Sequence, residues 1–200
     1  MNAVVERAGT DTFGGLAADI DVIAPSADLS PPAGTVAFSF TADRVDGRFG
    51  LVSKDALFFG DGGHFSLYVE DGDLVARFQD EDSSRVFVQD GVVAGRAYDV
   101  VANFDDPAGV ALFVDGTLVG ADPAFDAGWD GNAEFLRIGG LGWRSAPGDD
   151  GVSAPFDGTI RDLAIFDAAR TPAELASVAG PSSPSEPAPS EPAPSEPAPS

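Results

Sequence analysis

Residues 97–120 read AYDVVANFDDPAGVALFVDGTLVG, and this stretch decides the fold. Tyr98, Val100, Ala102 and Phe104 alternate onto one face, the period of two that marks a half-buried β-strand. Asp105-Asp106-Pro107-Ala108-Gly109 then turns the chain, after which Val110, Leu112 and Val114 alternate again. Asp115-Gly116 tolerates the positive φ angles of a two-residue hairpin turn, so Thr117-Leu118-Val119 is expected to pair back against Ala111-Leu112-Phe113. The result is a β-meander of three strands.

The same signal recurs on either side of the meander. Upstream, strands are expected at residues 20–24, 35–42, 48–54, 64–70, 74–79 and 84–89, separated by Asp/Gly turns such as Asp71-Gly72-Asp73. Downstream come a long loop over residues 121–133, a strand over 134–138, a second loop rich in Gly, Asp and Trp over 141–155, and a last strand over 158–166. Strands spaced about 8–12 residues apart with no helices between them point to a sandwich or barrel. A single short helix follows, with Thr171 as N-cap, Pro172 at the first position, Glu174 three residues after the cap, and Gly180-Pro181 as the stop. Residues 1–18 are polar and rich in Gly and Ala and read as a flexible arm. Residues 19–180 read as one domain. Residues 181–200 repeat PSEPA from Pro184, Pro189 and Pro194, a composition that cannot bury a core and reads as a disordered, extended linker. The repeat stops inside a fourth copy, so a further domain of the same chain is expected beyond it.

Composition excludes several functions. The chain has 33 acidic and 11 basic residues and a formal net charge of −22, which repels nucleic acid and anionic membranes. It favours cations and also solubility in saline water, and solvated turn aspartates account for most of the charge. Cysteine is absent, which removes disulfides, thiolate metal sites and cysteine nucleophiles. The apolar runs are too short for a membrane-spanning helix, and the N-terminus has no basic head followed by an apolar core. Export through a C-terminal signal outside this chain is one of the expectations left open, with a secreted or cell-surface location.

The order of motifs resembles the laminin G-like, or concanavalin A-like, jelly-roll family, in particular its bacterial, pentraxin-related type. The resemblance rests on Tyr98-Asp99-Val100-Val101-Ala102, Leu112-Phe113-Val114-Asp115-Gly116, Leu136-Arg137-Ile138-Gly139, the segment from Phe156 through Phe166, and Thr171-Pro172-Ala173-Glu174-Leu175. It implies an all-β fold, two antiparallel sheets packed face to face, with one short C-terminal helix and loops gathered at the rims. It also implies extracellular binding or adhesion, often with calcium. Asp61 falls near one acidic calcium position of the family. At the other, after the Ile138-Gly139 strand end, stands Gly140-Leu141-Gly142-Trp143-Arg144, which supplies no carboxylate. A calcium ion would therefore need Asp61, Asp149, Asp150 and backbone carbonyls to converge.

Catalytic signals are sparse. The sole histidine, His64, begins a strand and reads as an exposed strand-end residue rather than part of a Ser-His-Asp set. Asp80-Glu81-Asp82 is contiguous and sits at a turn, which does not give the paired, facing carboxylates of a glycosidase. Glycan sites combine an aromatic ring with Asp, Asn and Arg, because sugars offer both C–H faces and hydroxyls. Two loops carry such sets: Trp129 with Asp130 and Asn132, and Trp143 with Arg144. Each tryptophan reads equally as a plug at an end of the sandwich. Asp162 reads as a loop-fixing hydrogen-bond acceptor. The expected function is a non-catalytic module binding an extracellular glycan or surface ligand. The alternatives are a spacer domain of a large exported adhesin and a polysaccharide hydrolase or lyase of the same fold.

Overall fold

Tight turns and alternating strands build two six-stranded antiparallel sheets. The structure is a computed structural model and describes residues 3–57, 62–105 and 109–176. Twelve strands run in the order β1 (Ala3–Gly14), β2 (Asp21–Ile23), β3 (Ala33–Ala42), β4 (Arg48–Lys54), β5 (His64–Glu70), β6 (Asp73–Gln79), β7 (Ser84–Gln89), β8 (Ala97–Asp105), β9 (Gly109–Val114), β10 (Thr117–Asp122), β11 (Leu136–Ile138) and β12 (Asp157–Phe166), followed by helix α1 (Pro172–Ala176). Sheet A has the order β1-β12-β3-β8-β9-β10 and sheet B the order β2-β11-β4-β5-β6-β7. This is the two-sheet jelly-roll sandwich expected from the sequence.

Local chemistry explains the turns and caps. Asp71-Gly72 and Asp115-Gly116 both take positive φ at both positions, 50° and 89° in the first pair and 49° and 73° in the second. Such a turn matches the twist of the strands that it joins. The register after the second turn differs from the expectation: Thr117 faces Val114 and Leu118 faces Phe113, and a bulge before Gly120 takes up the extra residue. At α1, the Thr171 backbone N–H donates to Glu174 Oε2 (2.7 Å) while the Glu174 N–H donates to Thr171 Oγ1 (3.3 Å), a reciprocal capping box.

The described part of the arm expected over residues 1–18 is not free. Ala3–Gly14 is the edge strand of sheet A, paired antiparallel with β12 from Ala3↔Phe166 to Gly14↔Asp157. Register shifts between Ala3 and Val5 and between Arg7 and Thr10 break the alternation that would have marked it as a strand. In the second irregular region the Gly9 N–H donates to Asp162 Oδ1 (2.9 Å), the fixing role expected of Asp162. The linker of residues 181–200 lies outside the described residues.

The core fills the space between the sheets. Phe38 and Phe40 of β3 and Phe104 of β8 face Phe65 and Leu67 of β5 and Phe78 of β6, all buried. Each such side chain contributes roughly 1.5–3 kcal/mol by leaving water. Trp129 closes one end: its ring stacks on Phe104 of sheet A at 4.4 Å and lies 6.1 Å from Phe65 of sheet B. Phe13, Phe40, Tyr98 and Phe156 form a second aromatic group. Among the described residues no helix is long and apolar enough to cross a membrane.

Candidate functional site

Strand alternation places His64, Ser66, Tyr68 and Glu70 of β5 on the outer face of sheet B. Their cross-strand partners on β6 are Gln79, Arg77, Val75 and Asp73. On this face lies a cleft of about 380 Å³ lined by Arg48, Asp55, Leu57, Tyr68, Arg77 and Trp143, together with Ala56, Ser66, Gln79 and Leu141. A second hollow of about 420 Å³ adjoins it and shares Arg48 and Trp143, adding Arg144 and Glu70.

Buried polar groups aim the cleft's side chains. Asp55 has 1% of its surface exposed and accepts four hydrogen bonds: from its neighbour's Ala56 N–H (2.9 Å), Ser66 Oγ (2.8 Å), His64 Nδ1 (3.1 Å) and Arg77 Nη1 (3.2 Å). It fixes Arg77 by one nitrogen and leaves the other donors of that guanidinium without a protein partner among the described residues. Arg48 gives Nε to Glu70 Oε1 (2.8 Å) and its Nη2 to the same oxygen, leaving Nη1 without a hydrogen-bond partner among the described residues. Its guanidinium lies over both aromatic walls, 5.2 Å from the Tyr68 ring centroid and 4.3 Å from that of Trp143. Burial raises the pKa of Tyr68 against the opposing pull of Arg48, which keeps its hydroxyl a donor.

The Trp143 loop is held to the sheet by a buried arginine. Arg137 of β11 is fully buried, and it donates Nε to Gly151 O (2.8 Å), Nη1 to Phe135 O (2.8 Å) and Asp55 O (3.3 Å), and Nη2 to Asp149 O (2.6 Å) and Ser145 Oγ (3.1 Å). Leu141 and Ser153 pair across the base of the loop, and Leu57 N–H donates to Ser145 O (2.8 Å). Gly142 packs so close to Arg137 and the Asp55 carbonyl that any Cβ would overlap them.

The two tryptophan sets expected from sequence separate. Trp143 and Arg144 stand at the cleft, with the Arg144 guanidinium 5.2 Å from the Trp143 ring. Trp129 is a correction: it is wholly buried between the sheets and presents no ring face to a ligand. Asn132 is also buried and fully committed. Its Nδ2 donates to Gly63 O (2.7 Å), and its Oδ1 accepts from Lys54 Nζ (3.1 Å) and the Glu134 N–H (2.8 Å). Asp130 is exposed on that loop and does not line the cleft. His64, expected at an exposed strand end, is buried with 2% exposure because it hydrogen-bonds Asp55 beneath the cleft.

The metal expectation finds no cage among the described residues. Asp149 and Asp150 are exposed, and no group of three His, Asp or Glu side chains gathers there or elsewhere among those residues. The Asp149 carbonyl is used by Arg137, a cation. Asp61 lies outside the described residues. Among the described residues, therefore, no cluster of carboxylates supplies the six to eight oxygens of a calcium ion.

The hydroxyl and carboxylates around the cleft are engaged with one another and with arginines. Ser66 and His64 both hydrogen-bond Asp55, so the Ser66 hydroxyl is not on the imidazole. Most retaining and inverting glycosidases use two carboxyl groups facing one sugar. In this cleft Asp55 is buried under four donors and Glu70 is paired with Arg48. Tyr68, Arg77, Asp55 and Arg137 gave no functional signal in the sequence. Only the outward alternation of Ser66, Tyr68 and Arg77 on neighbouring strands could have suggested a shared face.

A family model described as the concanavalin A-like lectin/glucanases superfamily matches residues 16–176. Among solved structures, the chain is similar to the CBM40 module of the Ruminococcus gnavus IT-sialidase bound to α2,3-sialyllactose. That match has 16% identity and a TM-score of 0.65, and covers 90% of this chain and 100% of the other. A leech intramolecular trans-sialidase in complex with 2,7-anhydro-Neu5Ac matches at 18% identity and a TM-score of 0.66, over 92% of this chain and 29% of that enzyme. A heptameric SAP-like pentraxin from Limulus polyphemus matches at 18% identity and a TM-score of 0.58, over 90% and 84%. At these identities the likeness is one of fold. A search of curated protein sequences finds no match.

Proposed function

We propose that this chain, which belongs to the concanavalin A-like lectin/glucanases superfamily, is a non-catalytic carbohydrate-binding module that takes an acidic sugar in the outer cleft of sheet B. The observation that carries this reading is the pair of guanidiniums, Arg48 and Arg77, lining one aromatic-walled cleft in a chain of net charge −22. Each guanidinium is paired on one side, Arg48 with Glu70 and Arg77 with Asp55, and keeps further N–H donors, whose planar fork matches a carboxylate. Trp143 and Tyr68 offer faces for the C–H side of a pyranose ring, and the volume suits one or two sugar residues. The neighbour solved with sialyllactose, an acidic glycan, supports the same ligand class. An extracellular setting suits such a module, and the PSEPA repeats have the composition of a tether, through which weak binding gains avidity.

The test is calorimetric titration of the full chain with 3′-sialyllactose, a galacturonate oligosaccharide and neutral lactose, each with calcium and with chelator. Acidic sugars are expected to bind, lactose is not, and chelator is expected to change nothing, because the recognition is by arginine. Arg77→Ala should lower affinity at least tenfold, the scale of one lost charge-assisted hydrogen-bond pair. Preference for lactose, binding indifferent to Arg77→Ala, or release of cleaved sugar would sink the reading. Absence of binding to any glycan would favour a spacer domain.

A further inference from the structure

Beside Arg77 the cleft reaches Gln79, at the end of β6. Gln79 lines it with 1% of its surface exposed, yet neither Oε1 nor Nε2 of its amide has a hydrogen-bond partner. Directly opposite on β5 stands His64, whose Nε2 is likewise buried and unpartnered. Buried polar atoms are nearly always satisfied, and leaving one unpaired costs about 1–3 kcal/mol. Here three lie on one cross-strand pair, beside a cluster whose buried members are paired: Ser66 and Arg77 reach Asp55, and Asp55 takes four donors.

The chemistry presented there is defined. Whichever way the Gln79 amide is turned, it offers one donor and one acceptor. Nδ1 of His64 is taken up by Asp55, so Nε2 is the ring nitrogen left without a partner beside the amide. Gln79 follows Arg77 by two residues on β6, on the same face, so the strand repeat sets the two about 7 Å apart. A ligand spanning them carries a negative group at one end and a neutral group that both donates and accepts at the other.

We infer that Gln79, backed by His64, is a specificity subsite for a neutral hydrogen-bonding group, a hydroxyl or an acylamino group, on the acidic sugar held by Arg48 and Arg77. This rests on the carbohydrate-binding reading above. It makes the cleft selective within acidic sugars, because a carboxylated ligand lacking such a group leaves the amide buried and unpaired.

Gln79→Leu, close in volume and without polar atoms, separates the subsite from a structural role. The full-length wild type, Gln79→Leu and Arg77→Ala are compared by calorimetry with 3′-sialyllactose and with its analogue in which hydroxyl replaces the acylamino group, and by thermal melting without sugar. Removing an unpaired buried amide is expected to leave the melting temperature unchanged or raised, while affinity for the better-bound sugar falls about tenfold. The two sugars tell which group fills the subsite: a larger loss with sialyllactose assigns acylamino, an equal loss assigns hydroxyl. If Gln79→Leu binds both sugars as the wild type does, while Arg77→Ala loses them, the subsite is overturned and the cleft reading stands. If Gln79→Leu instead lowers the melting temperature by several degrees with affinity intact, Gln79 is a structural residue held by water, which also overturns it. Absence of wild-type binding to either sugar overturns the reading beneath both.

Discussion

The Arg48 guanidinium lies 4.3 Å from the centre of the Trp143 ring, and Glu70 holds the same guanidinium from the side. The contact joins a strand of sheet B to the loop that follows β11, and makes the tryptophan a wall of the cleft rather than a solvent-exposed flag. Cation–π contacts of this kind are worth about 0.5–2 kcal/mol, enough to fix a ring face but not to anchor a fold.

Trp143 and Trp129 should therefore respond oppositely to ligand. Trp143→Ala is expected to lower affinity for an acidic sugar about tenfold and to change stability by less than about 1 kcal/mol, since its ring is only half-buried. In Trp129→Phe, intrinsic fluorescence comes from Trp143 alone and should still change on adding sugar. In Trp143→Phe the signal comes from buried Trp129 and should not. A ligand-dependent signal confined to Trp129 would refute this placement of the site.

Trp129 is instead a test of the sandwich. It stacks on Phe104 at 4.4 Å with no exposed surface, so Trp129→Ala should cost about 3–5 kcal/mol in urea unfolding, through lost burial and the cavity left between the sheets. A cost below about 1 kcal/mol would mean that the ring is not seated between them.

Arg137 should control the site without touching ligand. Arg137→Met removes the donors that hold the carbonyls of Gly151, Phe135 and Asp149, and the loop bearing Trp143 and Arg144 loses its main anchor. The expected result is weakened sugar binding, at least tenfold, with faster hydrogen exchange confined to residues 139–155. The sheet amides should keep their protection. Unchanged exchange in that loop would show that the pairing of Leu141 with Ser153 suffices.

The strands were legible because alternation and Asp-Gly turns are local, and the pairings of β5 with β6, β6 with β7 and β8 with β9 run unbroken. The edge strand β1 was not, since bulges at Ala3/Val5 and Arg7/Thr10 destroy the period on which such reading depends. The site was legible by half. A tryptophan in a long loop marks either a plug or a wall, and only packing separates Trp129, sealed against Phe104, from Trp143, laid over Arg48. Asp55, just past β4, and Arg77 of β6 are 22 residues apart in sequence and meet only because β4 pairs with β5 and β5 with β6. Their convergence has no one-dimensional signature.

The last prediction concerns Lys54, the chain's single lysine, which is fully buried and donates to Asn132 O (2.9 Å), Asn132 Oδ1 (3.1 Å) and Glu134 O (2.7 Å). Burial lowers its pKa to about 8 from 10.5; attraction to Glu134 offsets part of this, and repulsion from Arg137 adds to it. Below pH 8 the ammonium is charged in the folded and unfolded chains alike, and the fold carries the whole cost of burying it. Between pH 8 and 10.5 the unfolded chain binds more protons than the folded one, so this contribution to stability rises with pH. The size is on the order of 2–3 kcal/mol. Lys54→Met has no such titration, so the unfolding free energy of wild type minus variant should climb by that amount across the window. Urea titrations at pH 7.5, 9 and 10.5 measure it, and a flat or falling difference would show that Lys54 keeps an ordinary pKa, with its charge solvated at the rim.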